Sequence, residues 1–453
     1  MRLLAVALAF AGLAGAAHAQ PVEQPLLHDL AGQVDPARLQ ADVARMVGFG
    51  TRHTLSDTAS PVRGVGAARR WVAGEFAAIS RACGGCLVIE TPSQVFTGPR
   101  IPTPTAVVDV LAIQRGTTDP DRVIVITGHL DSRVSDVMNA TADAPGANDD
   151  ASGVAALIEA ARILSRHKFP ATLVFAALTG EEQGLNGGKV LADYALAQGW
   201  RVEANLNNDI VGNTRGQNGA VDDAHVRVFA EGTKAVETPE EATRRRYNGG
   251  EVDSPSRNLA RYIDRLAETY VADLDVVMVY RTDRFGRGGD HTQMLAAGFP
   301  AVRVTEAAEN YDRQHQDLRV EAGRTYGDTL DGVNFAYLAK VTRLNVVAMA
   351  GLAMAPAPPT GVTILGAVSA DTTLTWTPRA DAAQHRVWWR ATTEPQWRYS
   401  RPAGVSGSVM LRDVVIDDWF FGLSAVSADG WESPVVFPGP AGSFGPFVAP
   451  SAP

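Results

Sequence analysis

Cysteine, lysine and long apolar runs are all scarce in this 453-residue chain, and each scarcity excludes something. Lys168, Lys189, Lys234 and Lys340 are its only lysines, so nearly all of its 41 basic residues are arginine. With a formal charge of −9 and no extended basic cluster, nucleic acid is excluded as a partner. Beyond the N-terminus no stretch reads as apolar and long enough to cross a bilayer, so no transmembrane segment is expected. A hydrophobic share of 45% and a charged share of 20% are near those of folded proteins, which argues against a large disordered region.

The first twenty residues, MRLLAVALAFAGLAGAAHAQ, combine Arg2, an unbroken apolar stretch and a small-x-small site at Ala17-His18-Ala19. This describes a cleavable secretory signal over residues 1–19, and hence a secreted or periplasmic protein. Export bears on the two cysteines, Cys83 and Cys86, which stand as C-G-G-C. An oxidising compartment favours a small-loop disulfide there, and a zinc site would need two further Cys or His nearby.

The length suggests two or three structural units. From residue 20 the pattern runs helix, helix, strand: DPARLQADVARMV carries Asp35 as cap with Pro36 at the first helical position, GVGAARRWVAGEFAAIS is amphipathic, and CLVIE and VVDVLAIQ read as strands. His53, in the polar loop between those helices, reads as a packing or hydrogen-bonded residue. Strands and helices then alternate to Met354, which predicts a mixed, mainly parallel sheet flanked by helices over residues 20–354. A proline-rich linker, APAPPTG, follows at 355–361. Residues 362–453 change to short alternating strands, the pattern of a small all-β sandwich. Half of the aromatics among Trp388, Trp389, Trp397 and Trp431 face inward by alternation, and packing is the favoured role over a binding face.

Chemistry concentrates between Arg122 and Leu185. RVIVITGHLDSR, GANDDASGVAALIEAARIL and ATLVFAALTGEEQGL each place acids or histidine beside an apolar run, as α/β sheets do at the carboxyl ends of their strands. His129 and Asp131 lie two apart, so Asp131 is expected to fix the ring of a metal-bound His129 through its second nitrogen. Asp149 and Asp150 precede a helix; capping accounts for one of them and leaves the other free to ligate. Glu181 and Glu182 end another apolar strand, where one can hold a metal and the other carry a proton. Asp209 ends a further strand on the same edge.

Jointly, GHLDS, GANDDASG, GEEQGL and the Asp209 strand end resemble the zinc aminopeptidases of peptidase family M28, from about Gly48 to Met354. The resemblance implies two zinc ions on an eight-stranded mixed sheet, bridged by Asp149. One ion would also be held by His129 and Asp209, the other by Glu182 and a later histidine, with Glu181 as general base and Asp131 and Asp150 as supports. A cis peptide bond is implied between Asp149 and Asp150. For the remaining ligand His315, in ENYDRQHQD, is preferred to His291, in GGDHTQML, because the family's zinc histidine follows the next strand. The tyrosine that polarises the carbonyl in some members is missing before Asp290-His291, and Arg287, Tyr280 or zinc alone would have to serve.

The implied function is hydrolysis of N-terminal residues from peptides, with Glu181 taking a proton from a metal-activated water. Carboxypeptidase or glutaminyl-cyclase-like activity on the same fold, or a binding protein with a vestigial peptidase domain, are the alternatives. The tail resembles a fibronectin type III domain, with Trp376 at that family's core tryptophan position. It is expected to act as a spacer or to bind a surface or polymer, and its removal from Ala357 onward to leave hydrolysis intact.

Overall fold

The computed structural model describes residues 22–448, so the expected signal at 1–19 lies outside the described residues. Eight strands form one mixed sheet: β1 (Val88–Glu90), β2 (Val110–Gln114), β3 (Asp119–His129), β4 (Ala171–Leu178), β5 (Arg201–Asn208), β6 (His225–Phe229), β7 (Asp275–Val279) and β8 (Ala301–Glu306). Their spatial order is β1-β2-β4-β3-β5-β8-β6-β7. The central four, β4, β3, β5 and β8, run parallel; β2 is antiparallel to β4 and β1 to β2 at one edge, and at the other β6 is antiparallel to β8 and parallel to β7.

Burial on both faces explains why β3 and β4 read as largely apolar runs. Val123 and Val125 of β3, with Val174, Ala176 and Leu178 of β4, pack beneath α5 (Asn186–Ala197) and α8 (His291–Ala296). The intervening Ile124, Ile126, Leu173 and Phe175 face the opposite layer, as a side-chain period of two requires. That layer holds α1 (Pro25–Ala31), α2 (Pro36–Val47), α3 (Gly64–Ala82), α4 (Ala151–Leu164), α7 (Pro255–Tyr270) and α9 (Phe335–Met354), with α6 (Pro239–Asn248) lying outside it. Asp35 caps α2 as expected, accepting the Ala37 N–H at 2.9 Å.

By length and composition α9 is apolar enough to span a bilayer, which corrects the expectation that no such stretch follows the N-terminus. Here it is a core helix, packed on α1, α2, α4, α7 and the sheet. The helix α4 approaches the strand ends closely because its first turn lacks bulk. A Cβ on Gly153 would lie 2.5 Å from the Asn208 carbonyl, and one on Gly128 would lie 2.8 Å from the Gly153 backbone.

Cys83 and Cys86 are disulfide-bonded just after α3. The tail strands are β9 (Thr360–Leu365), β10 (Thr372–Thr377), β11 (Gln384–Ala391), β12 (Tyr399–Gly404), β13 (Ser408–Leu411) and β14 (Trp419–Val426). They form two three-stranded antiparallel sheets, β9-β10-β13 and β12-β11-β14, around Leu374, Trp376, Trp389, Phe421 and Leu423. The first strand begins at Thr360, inside the stretch read as linker. Trp388, Trp389, Trp397 and Trp431 are all buried, so these aromatics pack and do not form an exposed binding face.

The tail is docked by buried charge. Arg390 reaches both carboxylate oxygens of Asp253, at 2.8 and 3.0 Å, and Asp253 also pairs with Arg261 at 2.8 Å. All three side chains are at most 1% exposed. Arg261 donates onward to the Pro395 carbonyl, and Trp397 Nε1 donates to Asn258 Oδ1 at 3.0 Å. Breaking a buried pair by removing one partner costs about 3–5 kcal/mol. Arg390→Met should therefore lower the stability of the whole chain by that order, read as a shift in the urea midpoint, and truncation at Ala357 should lower the melting temperature of the remaining unit. An unchanged midpoint and melting temperature would show that the dock contributes nothing.

Candidate metal centre

Three neighbouring parallel strands deliver the acids. β3 ends at His129, β4 runs out into Glu181 and Glu182, and β5 ends one residue before Asp209. The N-terminus of α4 brings Asp149 and Asp150 to the same edge, through a cis peptide bond between them. His315 arrives from the loop that follows β8, at φ 53°.

Asp149 sits between two groups of ligand atoms. Its Oδ1 lies 3.0 Å from His129 Nε2, and its Oδ2 lies 3.0 Å from His315 Nε2. His129, Glu181 and Asp209 present one set of ligand atoms, and Asp149, Glu182 and His315 present another, each set within 4.8 Å of one another. His315 Nε2 also lies 2.9 Å from Glu182 Oε1, a buried oxygen that makes no hydrogen bond among the described residues. His291 is elsewhere: buried, it donates from Nε2 to the Thr282 carbonyl at 2.9 Å and joins neither set.

The electrostatics are those of a site built for cations. Burial raises the Asp149 carboxyl, but the two histidines outweigh it and hold it well below the usual range. Burial lowers His315, yet Glu182 and Asp149 raise it to about 10. His129 is likewise driven well above its ordinary value, against burial, by Asp131 and Asp149. Positive charge is thus drawn onto the imidazoles wherever the carboxylates lack it. Imidazole and carboxylate donors in two largely buried sets, with Asp149 reaching a histidine of each, fit zinc.

Glu181 and Glu182 differ in environment although adjacent. Glu182 is buried, and its Oε2 accepts from Arg133 Nε at 2.8 Å. Glu181 is partly exposed on a cavity of about 280 Å³, and no hydrogen bond or ion pair among the described residues engages its carboxylate. Burial, opposed by His129 and reinforced by Asp209 and Glu182, pushes it well above the ordinary carboxylate range. A half-buried carboxylate with a raised proton affinity is what a general base needs.

The supports act differently from the expectation for one of them. Asp131 meets His129 Nδ1 through its backbone carbonyl at 3.0 Å, whereas its carboxylate stands 3.7 Å away. That carboxylate instead accepts the N–H groups of Gly180 (2.9 Å) and Glu182 (3.1 Å) and the Thr54 hydroxyl (2.9 Å). Asp131 therefore orients the Glu181-Glu182 turn as well as the histidine ring. Asp150 caps α4 at Gly153 (3.1 Å) and also accepts from His129 N (2.9 Å) and Ile210 N (3.2 Å). One side chain thereby ties β3, α4 and the turn after β5. Ile210, a β-branched residue at φ 55°, is held in the left-handed region by this bond.

Further residues of the site escape a reading by motif. Arg303 on β8, fully buried, holds Asp209 Oδ2 at 2.6 Å and leaves Oδ1 facing His129. Asp328 accepts the N–H of Asp149 at 2.7 Å. Arg52, also fully buried, donates to the carbonyls of Leu130 (2.7 Å) and Gly146 (2.8 Å), joining the loops that carry the ligands. Its neighbour His53 is buried and hydrogen-bonded to the Val137 carbonyl, the packing role expected of it. Partners that orient a ligand typically set metal affinity by about 10–100-fold. Arg303→Met should weaken zinc binding by that factor, measured by competition with a chelating dye; an affinity equal to that of the unsubstituted protein would remove Arg303 from this role.

Known proteins resemble this chain in sequence and in fold. Residues 109–333 match the model of peptidase family M28. A probable zinc metalloprotease of Pyrenophora teres f. teres is 42% identical over 421 residues, covering 92% of this chain and 87% of that one. One of Leptosphaeria maculans is 42% identical over 425 residues, covering 93% and 98%. Among solved structures, the Legionella pneumophila LapA aminopeptidase superposes with a TM-score of 0.53 at 19% identity, over 78% of this chain and 80% of that one. A leucine aminopeptidase precursor from Bacteroides thetaiotaomicron gives 0.50 at 16% identity, over 70% and 97%. These likenesses show the fold, while the family match and the sequence relatives establish that this chain belongs to peptidase family M28, among homologues described as probable zinc metalloproteases.

Proposed function

We propose that this chain is an exported, zinc-dependent exopeptidase that removes residues from the N-terminus of peptides. The observation that carries the reading is Asp149 standing between two imidazole-carboxylate sets while Glu181 alone turns an unengaged carboxylate to the cavity. Two zinc ions would be held by these residues, one by His129 and Asp209 and the other by Glu182 and His315, with Asp149 between them. Zinc in such a site lowers the pKa of water toward neutrality and polarises a carbonyl oxygen. Glu181 takes the proton of the attacking water and delivers it to the leaving amine. Arg133, donating to Glu182 Oε2, steadies that ligand.

Tyr280 is set aside as the carbonyl-polarising group, since its hydroxyl lies 3.5 Å from the Pro395 carbonyl, whereas Arg287 lines the cavity. Cleavage at the N-terminal end is supported by the aminopeptidases that share the fold. Export is supported by the Cys83–Cys86 disulfide, which belongs to oxidising compartments. The two tail sheets are compatible with a fibronectin type III-like module.

The test is product analysis on a free tripeptide and its N-acetylated form, before and after treatment with a zinc chelator. The account expects release of the N-terminal residue from the free peptide only, loss of activity on chelation, and recovery with zinc. Cleavage of the acetylated peptide would instead assign a carboxypeptidase, and turnover that survives full zinc removal would overturn the metal reading.

A further inference from the structure

The cavity beside Glu181 is lined by four arginines, Arg100, Arg133, Arg284 and Arg287. Two of them are occupied: Arg133 by Glu182 and His315, Arg100 by the Glu182 carbonyl at 2.8 Å. Arg284 and Arg287 are held more loosely. Both lean on the same oxygen of Glu309, each at 3.4 Å, while its other oxygen is taken by Arg227 at 2.6 Å. Arg284 also meets Asp283 at 3.3 Å, and Asp283 is shared with Arg303 at 3.6 Å, so these two carboxylates serve the four guanidiniums of Arg227, Arg284, Arg287 and Arg303, and Arg287 has no carboxylate of its own. The remaining acids of the wall, Asp149, Glu181, Glu182 and Asp209, belong to the centre described above.

The rest of the lining is small. Leu185 is its one apolar side chain, and Gly184, Gly286 and Gly288 contribute none. At about 280 Å³ the cavity is near the lower limit of roughly 300 Å³ for small-ligand pockets. It offers no apolar recess for a large side chain and room for only a short stretch of peptide.

We infer that Arg284 and Arg287 bind a carboxylate of the substrate close to the scissile bond. Short peptides with a free C-terminal carboxylate, or peptides with an acidic residue at that place, are then the preferred substrates. This rests on the proposal of peptide hydrolysis above and deepens it. Guanidinium is suited to the task because its planar donors match a carboxylate in pairs, and Glu309 fixes both groups from behind before the substrate arrives.

The test compares alanyl-alanine, its C-terminal amide and alanyl-glutamic acid α-amide with zinc-loaded wild type and with Arg284→Gln, Arg287→Gln and Arg287→Lys. Charge-assisted hydrogen bonds predict that wild type prefers alanyl-alanine to its amide by about ten- to a hundredfold in kcat/KM. The difference should lie mainly in KM, the ratio should collapse toward one in either glutamine variant, and the lysine variant should recover part of it. Arg287, a third exposed, is the variant least coupled to folding. If alanyl-glutamic acid α-amide matches alanyl-alanine, a side chain is also accepted; if it matches the simple amide, the terminus alone is read.

A wild-type ratio near one, or a preference that survives both glutamine substitutions, overturns the inference. Should wild type hydrolyse none of the three, the peptidase reading fails by itself. Calorimetric binding of alanyl-alanine and its amide to the same proteins then decides the carboxylate site on its own: preference lost in Arg287→Gln supports it, and equal binding refutes it.

Discussion

Glu181→Gln is expected to retain zinc and fold yet lose about 10²–10⁴-fold in turnover, the range that a positioned general base contributes. That loss corresponds to about 2.7–5.5 kcal/mol of barrier. The substitution is close to isosteric, and the carboxylate it replaces makes no hydrogen bond or ion pair among the described residues, so little structural disturbance should accompany it. The glutamine amide cannot accept the proton of the attacking water. Zinc per chain, circular dichroism and steady-state kinetics together check the outcome. Loss of zinc along with turnover would instead make Glu181 a ligand of the His129 and Asp209 set, with which its oxygens are grouped.

Asp149→Ala should act differently, abolishing activity because the metal itself is lost. Each oxygen of this carboxylate serves a different histidine, at 3.0 Å in both cases, so its removal opens both sets at once. Removing Glu182 or Asp209 opens only one. Metal analysis should therefore find zinc near zero per chain in Asp149→Ala and an intermediate content in Glu182→Ala. Because Asp149 is buried, a parallel measurement of thermal unfolding in excess chelator separates loss of metal from loss of fold. Full zinc occupancy in Asp149→Ala would contradict its place between the two sets.

Much of the centre could be read in advance because buried parallel strands advertise their ends. β3 and β4 are buried and apolar along most of their length, so His129 and Glu181 stand out as abrupt changes of polarity, whereas β5 carries Glu203, Asn205, Asn207 and Asn208 and gives Asp209 no such contrast. The Asp149-Asp150 pair was legible for a similar reason, as one acid more than a helix cap requires. What stayed hidden depends on contacts between distant segments. Arg303 pairs with Asp209 from 94 positions away, and in its strand it reads as an ordinary outward residue. Asp328 and Arg52 likewise bind backbone groups of loops that only the fold brings near. Asp131 illustrates the limit of local spacing. Two residues from His129, it was expected to present its carboxylate to the ring, yet the chain turns after the strand and directs that carboxylate to Gly180 and Glu182.

The tail was legible as a β unit but not as a docked one. Arg390 sits in β11 among alternating residues, and nothing local distinguishes it from a solvated arginine. Only the meeting with Asp253 and Arg261 gives it a role in holding the two units together.

The most direct measurement is anomalous diffraction at the zinc edge from crystals of the metal-loaded protein. The account predicts two peaks on either side of Asp149, one against His129 and Asp209 and the other against Glu182 and His315. A single peak, or one that touches His291 in place of His315, would contradict it.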